Sequence, residues 1–454
     1  MVKQRLKRTS FTPFVLEEDV RIEGLSHDGR GIARHRGKTL FVDGALPDET
    51  VRVQVLEDKR CFMNARVSAV VDASAERCEP LCRHFKQCGG CSLQYNTHDA
   101  QLKNKQSIVI DQLQRFAKVS PESIDEPLRS APFGYRHRSR LSMRWKKGLL
   151  LMGFREKGSN AICQISECPV LAEPLQKMPA LLRTYLPTLK SREAISHAEL
   201  FQLSDSCGVL LRHIRPLSET DRASLRVFAE THQLFIFLQS NADRIERLYP
   251  EDSSEFSMHY TLPSEQLVMH FRPQDFTQVN WQVNQAMVDQ AMVDQAMVDQ
   301  AIQWLQPTKT DRVLDLFCGI GNFSLALARH GATVVGVEGS QRSVDQAKVN
   351  AKANDIENAE FYCADLSVAF DHQLWAKEPY DIVLLDPPRA GADFMIDHLV
   401  GLLPERLLYI SCNPATLARD AGSLSGHGYR LQRLSVMDMF PQTAHVESMA
   451  LFVR

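Results

Sequence analysis

Hydrophobic and polar positions change their period along this chain, and each change predicts a different kind of element. Between residues 15 and 71 short apolar runs alternate with turns: Glu17 to Ile22, Gly31 to Arg34, Thr39 to Val42, Thr50 to Glu57 and Phe62 to Val71 read as strands. The polar segments 27–31 and 42–49 separate them, a spacing that predicts a small β-barrel. Over residues 97–117 the apolar positions Leu102, Val109, Leu113 and Phe116 fall at helical spacing, which predicts an amphipathic helix. Tyr135 to Lys147 returns to a period of two. Arg136, Arg138, Arg140, Arg144 and Lys146 lie on one strand face, and Tyr135, His137, Leu141, Met143 and Trp145 on the other.

From residue 311 onward continuous apolar strands alternate with helical segments: 312–317, 323–328, 333–338, 342–351, 360–365 and 380–388. That rhythm predicts a parallel sheet covered on both faces. Just before it, residues 285–299 repeat GlnAlaMetValAsp three times without a change. A five-residue period advances about 500° around a helix, so Met287, Met292 and Met297 cannot share one face. The repeat reads as a recent tandem expansion without a functional role.

At 454 residues the chain is too long for one core, and about three domains are expected. No run approaches the roughly 18 apolar residues of a membrane span. The start, with Lys3, Arg5, Lys7 and Arg8, lacks the apolar core of a signal peptide, so a cytoplasmic protein is expected. Eleven cysteines are then unlikely partners in disulfides. Cys82, Cys88 and Cys91 cluster around Gly89 and Gly90, with Cys163 or Cys168 as a fourth candidate, and suggest an iron-sulfur site. Zinc is the rival, although the five residues between Cys82 and Cys88 meet its usual spacing only in part. A formal charge of -2 excludes a uniformly basic coat. The barrel-rim residues Arg30, Arg34, His35, Arg36, Lys38, Lys59 and Arg60 still suit RNA, or an ordinary solvated surface. Six Lys/Arg and no acid within residues 135–147 make that strand the best nucleic-acid footprint, with a solvated edge strand as the alternative.

The candidate chemistry gathers where the parallel strands end. Gly319 and Gly321 let a ligand approach the backbone, and Glu338 closes the next strand, placed to accept from ribose hydroxyls. Ser324 stands where a dinucleotide fingerprint wants Gly or Ala, which suits S-adenosylmethionine better than NAD. Asp386-Pro387-Pro388-Arg389 supplies a carboxylate and a rigid turn. Alone it suggests an amino-group methyltransferase. Cys412, flanked by Asn413 and Pro414 at another strand tip, is what carbon methylation requires, whereas Cys318 and Cys363 read as core fillers. A radical S-adenosylmethionine enzyme lacks support because its C-x3-C-x2-C spacing is absent. A purely RNA-binding protein has no use for Glu338, Asp386, Cys412 and Glu447 together.

Segments 276–280, 317–323, 386–389, 411–420 and 440–447 together resemble the bacterial RNA uracil-C5 methyltransferases, and the barrel and cysteine cluster resemble the branch acting on 23S rRNA. The resemblance implies a Rossmann-like class I methyltransferase domain (94–125 and 273–454), an N-terminal TRAM/OB-like RNA-binding barrel (1–72) and a central α+β domain (73–93 and 126–272). It implies Cys412 as nucleophile and Glu447 as general base. Gln278, Phe317, Asn322, Glu338, Asp365 and Asp386 become S-adenosylmethionine contacts, although relatives often carry Asn at the place of Asp365. The resemblance also implies a [4Fe-4S] cluster on Cys82, Cys88, Cys91 and Cys168. The expected partner is 23S rRNA with its target uridine flipped out, bound by a monomer, with no DNA or membrane. The pentapeptide expansion departs from the family pattern by ten residues.

Overall fold

The computed structural model describes residues 11–202, 206–240, 244–251, 258–272, 293–402 and 404–454, with the side chains of 293–295 excepted. Gln278, the first pentapeptide copy and residues 290–292 of the second therefore lie outside the described residues. The chain divides into two compact units: 1–81 with 91–108 and 442–445, and the remainder.

In the first unit a seven-stranded sheet closes around Ile22, Leu40, Val42, Val51, Val53 and Val55, all fully buried. Gly31–His35, Lys38–Asp43, Thr50–Asp58 and Phe62–Asp72 are its long strands; Glu17 to Ile22 contributes only the pair Val20–Arg21. Alternation of small apolar residues with polar ones makes each strand one-sided, as a small barrel requires. Several rim cations are already neutralised: Arg30 by Asp28, Lys38 by Asp58 and Lys59 by Glu57.

The helix after the barrel spans His98–Gln112 and widens into a π-helical turn at Leu113–Ala117. The wider turn shifts the register of the apolar stripe. Leu102, Val109 and Leu113 are buried as expected, but Phe116 is 72% exposed, which corrects its assignment to the apolar face.

The second unit holds two large sheets. One runs in the order Ile162–Gln164, Leu149–Arg155, Arg138–Lys146, Ile195–Gln202, Cys207–His213, Leu234–Gln239 and Ile245–Tyr249. The other contains β1 (Arg312–Leu316), β2 (Thr333–Glu338), β3 (Ala359–Cys363), β4 (Ile382–Leu385), β5 (Arg406–Ser411), β6 (Arg430–Met437) and β7 (Glu447–Val453). Their order is β3-β2-β1-β4-β5-β7-β6, with Ser123–Ile124 beyond β6, and only β7 runs antiparallel to its neighbours. Helices α1 (Asn322–Arg329), α2 (Gln341–Ala353), α3 (Asp393–Gly401) and α4 (Pro414–Gly426) connect the strands. β1 to β4 is where the strand order reverses, and such a reversal opens a crevice at the carboxyl ends of the strands.

Candidate active site

The loop from β1 to α1 is the first wall of that crevice. Phe317 follows β1 with φ +65, a conformation bulky residues rarely adopt and functional loops often hold. Its N–H donates to the Val337 carbonyl at 2.9 Å, which fixes the turn against β2. Gly319, also left-handed, has open space where a side chain would project, leaving backbone accessible to a ligand. Asn322 opens α1, and its carboxamide oxygen accepts from the Tyr260 hydroxyl at 3.0 Å.

Glu338 ends β2 and accepts from the N–H groups of Gly319 at 3.3 Å and Ser340 at 3.0 Å. Asp386 lies just past β4, half-buried, and burial pushes its pKa up to about 7. Beneath it Asp315 is fully buried. Its Oδ2 accepts from the Ser324 hydroxyl at 2.5 Å, its Oδ1 has no hydrogen-bond partner among the described residues, and burial holds its pKa at about 7 as well. Ser324 is therefore not a fingerprint position left vacant by Gly; its hydroxyl is used on a buried carboxyl. Asp365 sits beyond β3, exposed, with its carboxyl held down by bonds from the Ser367 hydroxyl at 2.6 Å and N–H at 2.9 Å.

Cys412 and Glu447 meet through strand register. Ser411, the last residue of β5, pairs with Ser448 in β7, so the next positions, Cys412 and Glu447, face one another across the antiparallel pair. Burial, and next the Glu447 charge, pushes the Cys412 thiol up, while the Arg389 guanidinium pulls it down. Asn413 caps α4 by accepting from the Ala415 N–H at 3.1 Å, Pro414 occupies the first helical turn, and the Asn413 amide donates to the Arg389 carbonyl at 3.1 Å. The same tripeptide thus ends a strand, starts a helix and ties the AspProProArg turn to the cysteine.

Reasoning from sequence missed several supports. Asp420 is fully buried and accepts from the Tyr409 hydroxyl at 2.5 Å, the Ala392 N–H at 2.7 Å and the Arg419 guanidinium at 2.7 Å. Tyr260 and Arg389 were also passed over. A lone acid closing an otherwise apolar helix face was the available signal for Asp420; nothing local marked Tyr260.

The cysteines divide. Cys318 is buried as expected, but Cys363 is exposed at the tip of edge strand β3, where no second layer covers it, which corrects its reading as a core filler. Burial pushes the Cys82 and Cys88 thiols up, and N–H bonds oppose it in part: the Cys82 sulfur accepts from His84 and Phe85, and the Cys88 sulfur from Gly90 at 3.4 Å. Cys88 shares a hydrogen bond with buried Cys163, and Cys168 is also buried. Among the described residues no three His, Cys, Asp or Glu side chains converge tightly enough to hold a metal ion. The donor chemistry fits a thiolate-ligated group, and the convergence is not in place.

Residues 97–454 match the family model for tRNA (uracil-5-)-methyltransferase, and residues 17–67 match the TRAM domain. The chain belongs to the tRNA (uracil-5-)-methyltransferase family. Within this family it is 45% identical to the 23S rRNA (uracil(1939)-C(5))-methyltransferase RlmD of Pseudomonas putida, over 98% of this chain and 95% of that one. It is 41% identical to RlmD of Legionella pneumophila strain Lens, over 99% of both. The Pyrococcus abyssi tRNA (uracil-54, C5)-methyltransferase, solved with S-adenosyl-L-homocysteine, superposes with a TM-score of 0.70 at 22% identity, covering 96% of this chain and all of that one, a likeness of fold. The methyltransferase and TRAM folds expected from sequence are thereby established for this family member.

Proposed function

We infer that this chain methylates C5 of a uridine in 23S rRNA, the one numbered 1939 in the names of its relatives. The observation that carries the chemistry is the cross-strand meeting of Cys412 and Glu447 beside Asp386 at the sheet's carboxyl edge. Uracil C5 is a poor nucleophile. Once its thiol proton is released to solvent, the Cys412 sulfur forms a bond to C6, and the C5–C6 π pair shifts toward C4–O4 and makes C5 enolate-like. S-adenosylmethionine, held by Gln278, Phe317, Asn322, Glu338, Asp365 and Asp386, supplies an electrophilic methyl group. C5 takes that methyl as the donor's sulfur–methyl bond breaks and its electron pair stays on the departing thioether. Glu447 then removes the C5 proton, and the electrons of the broken C–H bond restore C5–C6 as the Cys412 sulfur leaves. A base stacked in a helix cannot undergo this addition, so the uridine is flipped into the crevice.

In this reading the barrel of residues 1–72 and the strand Arg138–Lys146 of the central domain hold RNA, and residues 94–125 with 273–454 perform the transfer. Cys82, Cys88, Cys91 and Cys168 hold a [4Fe-4S] cluster; their support is the sequence spacing and the N–H donors aimed at Cys82 and Cys88. The transfer chemistry needs no electron from such a group. An amino-group methyltransferase would share Asp386 to Arg389 but leave Cys412 idle.

The test separates the two side chains. Cys412→Ala is expected to bind RNA yet form no covalent complex and lose essentially all turnover. Glu447→Gln is expected to add and transfer methyl, then stall as an RNA–protein adduct that survives denaturing electrophoresis and carries label from the donor methyl. Near-normal turnover by Cys412→Ala would overturn the covalent mechanism.

A further inference from the structure

The basic strand is one row of a larger patch. Arg138–Lys146 lies between Leu149–Arg155 and Ile195–Gln202, and the latter pairs with Cys207–His213. The registers set Arg140 opposite Glu199, Ser142 opposite His197, and His197 opposite Arg212. Opposed residues point to the same side of a sheet. Arg140, Arg144, Lys146, Arg155 and Arg212 therefore share one face with His197; all five cations are exposed and His197 is half-buried among them. Leu141, on the alternate face, is buried in the core.

Charge balance on this face differs from that around the paired rim cations Arg30, Lys38 and Lys59. The one carboxylate at these positions, Glu199, is held by Arg138 at 2.5 Å. Among the described residues none of Arg140, Arg144, Lys146 and Arg212 forms an ion pair, and Arg155 donates only to the neutral Asn160 carbonyl. Burial, and then the charges of Arg140, Arg212 and Arg155, holds the His197 imidazole below its ordinary pKa and so neutral. Like charges gathered across adjacent strands are destabilising in the free protein. In a chain whose net charge is -2, that concentration is not a by-product of composition. With a strand spacing of about 4.8 Å and a rise of about 3.3 Å per residue, Arg140 and Arg212, two strands apart and offset by two residues, stand about 12 Å apart, and Arg140 and Arg144 about 13 Å along the strand. A span of that size fits a run of backbone phosphates rather than a single small anion.

We propose that Arg140, Arg155 and Arg212 around His197, extended by Arg144 and Lys146, form a phosphodiester-binding site for the RNA strand flanking the target uridine. It rests on the reading of the chain as an RNA methyltransferase and adds the place where that RNA's backbone is held. His197, uncharged, serves as a hydrogen-bonding partner between the arginines.

The experiment measures binding of the full-length protein to an rRNA fragment containing the target, across a salt series. The Arg140→Gln/Arg212→Gln double variant should bind at least tenfold more weakly at low salt. Its slope of log affinity against log salt should fall by about 0.7 per residue replaced. Arg140→Lys/Arg212→Lys should recover most of the affinity, since phosphate attraction requires charge more than shape. An unchanged slope, or an equal loss in the Lys variant, overturns the proposal, as does a preference for anionic phospholipid vesicles over RNA. S-adenosylmethionine affinity serves as the folding control, and an Arg155→Gln variant measured alike covers any misfolding of the double variant. Failure of the unaltered protein to methylate the fragment would overturn the uridine reading, while the salt slopes still decide the phosphate site.

Discussion

The Cys412 thiol sits under an electrostatic handicap. Burial and the neighbouring Glu447 carboxylate both disfavour the thiolate, and Arg389 opposes them only in part. Removing the negative neighbour should lower the thiol pKa, and removing the positive one should raise it further. At fixed, mildly alkaline pH, alkylation of Cys412 followed by peptide mass spectrometry should therefore run severalfold faster in Glu447→Gln and slower in Arg389→Gln. The reverse order would mean that these groups do not face the sulfur. Asp315 offers a second test through stability. Burial raises its pKa from 3.8 to about 7, so the folded chain keeps a proton that the unfolded chain has released. Its contribution to stability therefore falls as pH rises between those values. Asp315→Asn should flatten that decline, and its melting temperature relative to the parent should improve from mildly acidic to mildly alkaline buffer. Cys412 and Glu447 were legible because each sits in a local motif. Asp420 and Tyr260 were not, because their partners come from turns and strands far away in sequence.

At the scale of elements, period was a reliable guide wherever one face had to be buried. Most strands of the parallel sheet fell within a residue or two of their predicted places because apolar runs ended by Asp, Gly or Pro leave little choice of boundary, while the segment 380–388 overran the strand Ile382–Leu385 by three residues at its end. Phe116 failed because a π turn changed the helical period, and Cys363 because an edge strand has one side uncovered. The pentapeptide repeat shows the same dependence on context. The helix Val293–Leu305 begins at the end of the second copy and contains the whole third copy, whose Met297 and Val298 are buried beside Ala301 and Trp304. The copies are identical, so whichever one precedes Gln300 supplies those side chains. Deleting two copies should leave melting temperature and methylation nearly unchanged, since a tenfold change in a loop's length alters closure by only a few kcal/mol and ten residues by less. Met297→Ala in the full-length chain should instead cost about 2 to 5 kcal/mol by denaturant unfolding. A large loss on deletion would mean that more than one copy is packed.

Across the whole molecule, cysteines and cations are distributed for different tasks. On the barrel rim Arg30, Lys38 and Lys59 are paired with local carboxylates, whereas among the described residues Arg140, Arg144, Lys146 and Arg212 on the central sheet face form no ion pair, a contrast no count of Lys and Arg reveals. Sequence ranked the central strand first for lack of acids, but not the arginines of its neighbours, because sheet order is set by long-range pairing. The cysteine cluster is the feature that local geometry leaves most open, since thiolates converge only around the group they bind and metal binding is coupled to that ordering. If Cys82, Cys88, Cys91 and Cys168 ligate a [4Fe-4S] cluster, anaerobically purified protein should be brown with about four irons and matching sulfide per chain. Replacing any one of the four by Ala should bleach the protein and lower its melting temperature, because a group that binds only the folded state stabilises it. Cys363→Ala, exposed and outside the cluster, should do neither. Cys163→Ala discriminates the fourth ligand: retained colour supports Cys168, whereas bleaching equal to that of Cys88→Ala assigns Cys163 to the cluster instead. Stoichiometric zinc without sulfide would replace the cluster with a structural metal and leave the proposal of Cys412 as nucleophile untouched.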